Sequence, residues 1–170
     1  RGGGRVHVRV EPSRPGPIVI PEDGECGIAS CSTSLPMHVT ERQATAAQEF
    51  FARVTGLSCA VTLDARGGGA GVGSSVTIWR GAKGAIALGR RGFPAEEVGR
   101  TAARALLAEH ESPGTVDIHL ADQLLIYIAF YGGEYTTQTL SMHAETVCCL
   151  LSEFGYPVEY RENDIVEFSA

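Results

Sequence analysis

Five consecutive residues, His119-Leu120-Ala121-Asp122-Gln123, bring an imidazole, a carboxylate and a carboxamide together. An apolar run follows from Leu124 to Tyr131, then the glycine pair Gly132-Gly133, Thr136-Thr137, and Ser141-Met142-His143. The imidazole is neutral and nucleophilic near pH 7 and a good leaving group once protonated. The order therefore places a candidate nucleophile or acid–base group, His143, near a cluster able to hold a ligand. Simpler roles exist for each residue. His143 could cap or pack a helix. His119 and Asp122, at i and i+3 on one helical face, could share a local hydrogen bond. Apolar neighbours argue against full exposure of Asp122 and Gln123.

Periodicity and turn chemistry define the elements that must position these groups. Val6 to Val10 alternates apolar and polar residues, as a half-buried strand does. Pro12, Pro15, Gly16 and Pro17 break it, Ile18-Val19-Ile20 reads as a short strand, and Pro21-Glu22-Asp23-Gly24 ends that. Cys26 to Leu35 is a third strand. A helix is expected from Thr40 to about Val54, with Thr40 and Gln43 as a capping box, Ala44, Ala47, Phe51 and Val54 on one face, and Gly56 as the stop. Leu57–Leu63 and Ser75–Trp79 read as strands. The glycine-rich stretch between them, Arg66 to Gly73, opens no helix and lacks a following Gly-Lys-Ser/Thr, so it is a hairpin connection rather than a phosphate loop. Ala85–Leu88 adds a strand. Pro94 opens a second helix with Glu96 and Glu97 in its first turn and Val98, Ala102, Ala105 and Leu106 on its buried face. Ser112-Pro113-Gly114 ends it. Val116 to Tyr131 is helical, Glu134 to Thr139 a strand and Ser141 to Phe154 a helix. Val158–Tyr160 and Ile165–Phe168 close the chain as a hairpin. Residues 26–114 thus form a β-α-β-β-β-α unit of two helices on a small sheet. The flanking pieces, 1–25 and 115–170, are each too short to bury a core alone.

Composition narrows the function classes. The chain has 170 residues, 44% of them hydrophobic, enough for a packed core. No apolar run is long enough to span a bilayer, so no membrane role is expected. Arg1-Gly2-Gly3-Gly4-Arg5 is not followed by the apolar stretch of a signal peptide, and the absence of a starting Met is read as a natural N-terminus lying upstream. A net charge of −6 gives no global attraction for nucleic acid, although Arg1, Arg5, Arg9 and Arg14 cluster at the start. Cys26, Cys31, Cys59, Cys148 and Cys149 include no CxxC pair, which speaks against zinc ligation and a disulfide framework. A reduced, intracellular protein is expected, with Cys148 and Cys149 packed as small hydrophobes.

Several segments, in order along the chain, resemble the RNA 3′-terminal phosphate cyclase family. They are Arg1-Gly2-Gly3-Gly4 opening a strand; Leu35-Pro36-Met37-His38-Val39-Thr40-Glu41-Arg42, similar to LPxHVAER; and the glycine-rich stretch leading into Ser75-Val76-Thr77-Ile78-Trp79. They continue with Gly89-Arg90-Arg91-Gly92-Phe93-Pro94-Ala95-Glu96-Glu97-Val98-Gly99, similar to GxxGxPAEEVG, then the His119–Gln123 pentad and the His143 motif. The resemblance implies an α/β (α+β) fold: a cyclase-type domain of repeated βαβαββ units with a small α/β domain inserted. Residues 1–25 and 115–170 would be the C-terminal part of the catalytic domain and 26–114 the β-α-β-β-β-α insert. It implies ATP-dependent conversion of an RNA 3′-phosphate to a 2′,3′-cyclic phosphate through a histidine–AMP intermediate. His143 matches the adenylylated histidine, and His119, Leu120, Ala121, Asp122 and Gln123 match the ATP-contacting segment. Asp122 would orient the imidazole or bind the metal, and Gln123 would hydrogen-bond the nucleotide. The implied cofactors are ATP and a divalent metal, Mg2+ or Mn2+. The implied partners are RNA with a 3′-phosphate end, the missing N-terminal half of the same protein and, as one allowed assembly, a second copy in a homodimer. The implied compartment is the cytoplasm, or the nucleus in a eukaryote. Thr146-Val147 departs from the family's Thr-Asn, and Ile126-Tyr127-Ile128 replaces a more usual Pro-Met. Two rival readings are a non-catalytic cyclase-like protein of ribosomal RNA processing, which lacks the histidine, and an enolpyruvyl transferase, whose basic phosphate-binding residues are not evident here.

Overall fold

Small and β-branched residues from Cys26 to Thr33 make β1, the strand around which the first half of the structure is built. The structure, a computed structural model, describes residues 5–21, 24–68 and 71–170. The expected strand opening at Arg1–Gly4, the turn residues Glu22 and Asp23, and Gly69-Ala70 of the glycine-rich stretch lie outside the described residues. After β1 the chain forms α1 (Met37–Thr55) and returns as β2 (Ala60–Arg66), parallel to β1. Strand β3 (Gly73–Arg80) pairs antiparallel with the other edge of β1, and β4 (Lys83–Leu88) pairs antiparallel with β3. Helix α2 (Ala95–Glu111) follows. The sheet order is β2-β1-β3-β4.

Helices α1 and α2 bury one face of this sheet. Ile28, Val76, Ile78 and Ala87 meet Ala44, Ala47, Phe51, Val98, Ala102, Ala103 and Leu106. Each fully buried large side chain there contributes about 1.5–3 kcal/mol. The helices approach closely because Gly99 faces α1: a Cβ at that position would stand 2.1 Å from the Gln43 carbonyl oxygen.

A second set of elements begins with α3 (Ile118–Tyr131), β5 (Glu134–Thr137) and α4 (Met142–Glu153) and ends with β6 (Glu159–Glu162) and β7 (Val166–Ser169). Its antiparallel sheet has the order β5-β7-β6. Val116, Leu125, Ile128, Tyr135, Leu151, Val166 and Phe168 form a separate core, against which Ile18 and Ile20 also pack. Ile18 bridges in parallel to Gly133, just before β5. That bridge, then α3, β5, α4, β6 and β7, supplies the βαβαββ order of one repeat, its first strand reduced to a single bridge.

Several expectations are corrected. Val6–Val10 forms no strand: Val6, Val8 and Val10 are exposed and no described strand pairs with them. Ile18–Ile20 is a bridge, not a strand. The capping box is absent because α1 starts earlier, behind Pro36. Thr40 and Gln43 lie inside the helix, buried, with their polar groups turned to the sheet. Ser32 and Thr40 share a hydroxyl–hydroxyl bond of 2.6 Å, Ser30 Oγ donates to the Thr40 carbonyl, and Gln43 Nε2 donates to Ser74 Oγ at 2.7 Å. Val54, in the last turn of α1, and Ala105, on the outer face of α2, are exposed, and Ala103 takes the buried place expected of Ala105. The strands either side of the stretch 66–73 do not pair as a hairpin: β2 and β3 flank opposite edges of β1. Cys26 and Cys59 are joined as a disulfide, their Cα atoms 4.5 Å apart, because the β1–α1–β2 crossover brings them side by side. Cys149 is exposed while Cys148 is buried, since consecutive residues of α4 point about 100° apart.

Candidate active site

Every sequence-predicted site residue lies in the first turns of α3 or α4. Helix α3 starts there because Asp117 caps it: its Oδ1 accepts from the backbone N–H groups of His119 at 2.9 Å and Leu120 at 2.8 Å. The other carboxylate oxygen accepts from the Gly84 N–H at 2.8 Å, and the Asp117 N–H donates to the Ala82 carbonyl. One buried carboxylate thus fixes the start of α3 and ties it to the β3–β4 turn. Sequence reasoning passed over Asp117, although an Asp immediately before an apolar helical run is itself the signal of an N-cap.

Helix α4 starts at Ser141, whose Oγ accepts from the Ala144 N–H at 3.0 Å. The same hydroxyl donates to Asp122 Oδ1 at 2.5 Å. The starts of α3 and α4 are therefore latched together. Near their far ends Phe130 packs on Tyr156, ring centroids 4.6 Å apart, so the helices run parallel. Both positive dipole ends therefore face the same end of the molecule; at α3 the Asp117 carboxylate already takes the first-turn N–H groups of His119 and Leu120, and at α4 Ser141 takes that of Ala144. His143 stands at the second position of α4 and is exposed. The chain reaches it through Gly132 and Gly133, at φ 76° and 126°, a reversal that L side chains rarely allow.

The pentad divides by exposure. His119 and Gln123 are exposed, and Asp122 is half-buried. Ala121 is buried in the core, and Leu120, half-buried against that core, also lines the groove beside His119 and Gln123. The Tyr135 hydroxyl donates to the Ala121 carbonyl, and burial pushes its ionisation upward, with smaller contributions from Cys148 and Asp122. His119 and Gln123 line a groove of about 380 Å³ whose other wall is β3–β4, with Thr77, Trp79 and Ile86. His143 is not among the residues lining that groove. The acceptor of the Ser141 hydroxyl is Asp122, so that carboxylate positions α4 and its local partner is not His119. Thr146 Oγ1 donates to the Met142 carbonyl, and Val147 packs partly into the core. His7 and His38 are exposed, and His110 is half-buried beside Arg80, 3.0 Å from its Nη1. Burial pushes the His110 imidazole down, and Arg80 and Lys83 push it further.

Among the described residues no three His, Cys, Asp or Glu side chains converge to form a metal cage. No helix among them is long and apolar enough to cross a membrane.

A mixed α/β chain with a two-helix, four-stranded unit set before α3, β5, α4, β6 and β7 is consistent with the α+β cyclase-type fold. The family model for the RNA 3′-terminal phosphate cyclase insert domain matches residues 25–111. The chain belongs to the RNA 3′-terminal phosphate cyclase family. Three relatives, each named RNA 3′-terminal phosphate cyclase, agree. The protein of Methanococcoides burtonii is 39% identical over 99% of this chain and 52% of its own length. That of Methanothermobacter thermautotrophicus is 40% identical over 85% of this chain and 44% of its own. That of Halobacterium salinarum is 37% identical over 96% and 48%. The chain spans about half the length of the curated relatives it matches.

Proposed function

We infer that this chain carries the nucleotidyl-transfer end of an ATP-dependent RNA 3′-terminal phosphate cyclase. The observation that carries the reading is the exposed His143 at the start of α4, latched through Ser141 to Asp122 of the pentad. An imidazole nitrogen of His143 attacks the α-phosphorus of ATP, the α–β bridging bond breaks, and pyrophosphate leaves. AMP then passes from His143 to an oxygen of the RNA 3′-phosphate, restoring the imidazole. The adjacent 2′-hydroxyl loses its proton and attacks the activated phosphorus, AMP leaves, and the 2′,3′-cyclic phosphate remains. Covalent catalysis splits one hard phosphoanhydride formation into easier transfers.

The positive dipole end of α4, which carries His143, would help to hold phosphate charge. His119 and Gln123 line the groove beside Trp79, whose size falls within the range of small-molecule sites, and there they would contact the nucleotide. The residues described do not form a metal cage, so a divalent ion, Mg2+ or Mn2+, would come with the nucleotide's phosphates. The outer faces of α3 and α4 leave Ile126, Tyr127, Phe130, Leu150 and Phe154 exposed. This apolar surface is large for a solvent face and would receive the remaining half of the protein. Residues 1–25 and 115–170 then form one catalytic domain interrupted by 26–114. The reading places the protein in the cytoplasm, or in the nucleus of a eukaryote.

The test is covalent labelling of the protein at its natural full length with α-labelled ATP and a divalent cation. Wild type takes up acid-labile label, as a phosphoramidate should, and His143→Ala takes up none. Equal labelling of both proteins, or none on folded wild type, refutes the mechanism.

A further inference from the structure

Two of the segments that carry the family resemblance take no part in the site at α3 and α4. The Leu35–Arg42 and Gly89–Gly99 stretches instead meet at the opposite end of the four-stranded sheet, around a pocket of about 570 Å³. Strand β3 runs from Gly73 at this pocket to Trp79 at the His119–Gln123 groove, so at about 3.3 Å per residue the two lie roughly 20 Å apart.

The pocket has three kinds of wall. Leu35, Val39 and Phe93 make one side apolar. Gln43, 1% exposed, and Ser74 give it a polar floor, held in place by their mutual bond and by Ser30 behind them. Arg90 and Arg91 stand exposed at the rim. The Arg90 guanidinium lies 4.7 Å from the Phe93 ring centroid, a stacking that leaves its N–H edges free. Nearby carboxylates do not neutralise this rim. Glu96 is held by Arg42 in a two-pronged pair at 2.7 and 2.9 Å, and Glu97 by Arg100. Those bonds hold both carboxyls below their ordinary range. Among the described residues no carboxylate pairs with Arg90 or Arg91.

An apolar aromatic wall, a hydrogen-bonding floor and two guanidiniums, on a chain of net charge −6, match the parts of one nucleotide. We propose that this pocket holds a nucleotide of the RNA strand upstream of its reacting 3′ end, with the base against Phe93 and Val39 and the backbone phosphate on Arg90 and Arg91. The inference rests on the cyclase reading for the identity of the strand. It adds a second foothold that sets how long a strand the protein grips.

The experiment uses fluorescein-labelled oligoribonucleotides with 3′-phosphate ends, three and twelve nucleotides long, and the protein at its natural full length. Anisotropy reads binding without requiring catalysis, and His143 labelling is measured separately, so failure of the cyclase reading and failure of this one are distinguishable. For R90E/R91E the twelve-mer Kd should rise about tenfold or more, with the trimer Kd unchanged. The salt dependence of twelve-mer binding should lose a slope of about 1.4, that of two single-strand phosphate contacts. Phe93→Ala should weaken the twelve-mer about fivefold or more, through stacking. Both arginines are exposed, and unchanged thermal melting of R90E/R91E shows that the effect is not unfolding. Equal twelve-mer affinity in wild type and R90E/R91E overturns the proposal, as does a wild type that binds both lengths equally. Displacement of the twelve-mer's extra affinity by free AMP overturns the strand reading in favour of a mononucleotide site.

Discussion

The Ser141 hydroxyl serves two partners at once, and its removal tests whether the latch between α3 and α4 is real. In Ser141→Ala, helix α4 loses its N-cap, worth about 1 kcal/mol. It also loses the bond to Asp122 at 2.5 Å. A hydrogen bond to a charged group is worth about 1.5–3 kcal/mol when buried, and Asp122 is half-buried, so about 1–1.5 kcal/mol is expected here. The total destabilisation is about 2–2.5 kcal/mol. Asp122→Asn keeps an acceptor but loses the charge, and should cost less than Ser141→Ala. Urea unfolding of both single variants and the double variant closes a mutant cycle, with an expected coupling of about 1 kcal/mol. Because α4 carries His143, Ser141→Ala should also slow His143 adenylylation on the order of tenfold under conditions where it is folded. Additive costs with no coupling, or full adenylylation in the folded Ser141→Ala protein, refute the claim that this bond positions His143.

Asp117 makes three contacts to backbone N–H groups, and removing it should be severe. Asp117→Ala is expected to cost roughly 2–4 kcal/mol, the cap plus a stranded Gly84 N–H, while Asp117→Asn keeps the cap and costs less; chemical denaturation orders the three proteins. Glu109 has a buried carboxylate oxygen, Oε2, without a hydrogen-bond partner, and burial, then Asp117, pushes its carboxyl above the ordinary range. A carboxyl raised in the folded state lowers stability as pH rises through its unfolded and then its folded value, so the cost is fully present at neutral pH. Glu109→Gln should therefore raise Tm at pH 7, with that gain fading below about pH 4, where both states are protonated; a gain that is the same at both pH values refutes this. Gly99→Ala drives a Cβ to 2.1 Å from the Gln43 carbonyl, and should lower stability by about 1–3 kcal/mol by overpacking α1 against α2, with loss of near-ultraviolet signal from Trp79 if the small sheet loosens.

Residue pattern alone determined a good deal of this protein. Apolar spacing located α1 and α2, because a 3.6-residue period survives without knowledge of neighbours, and α3 and α4 were also read as helices. Gly56, Ser112 and Ser141 marked helix ends through local chemistry that operates within one turn. The ordered motifs pointed to the family and to His143. Tertiary structure decided what depends on partners distant in the chain. Val6–Val10 alternates like a strand, yet a strand exists only when another backbone takes its hydrogen bonds. The stretch 66–73 looked like a hairpin because its flanks are adjacent in sequence, whereas β1 already stood between β2 and β3. Cys26 and Cys59 met only through the parallel crossover. Thr40 and Gln43 read as a cap because local rules favour it, but the buried hydroxyls of Ser30 and Ser32 and the half-buried one of Ser74 claimed them instead. At the site, the pentad's composition was legible, but its division was not. Which residues face solvent, which sink into the core, and which carboxylate grips α4 follow from the packing of α3 on the second sheet, a property of three-dimensional neighbours rather than of spacing.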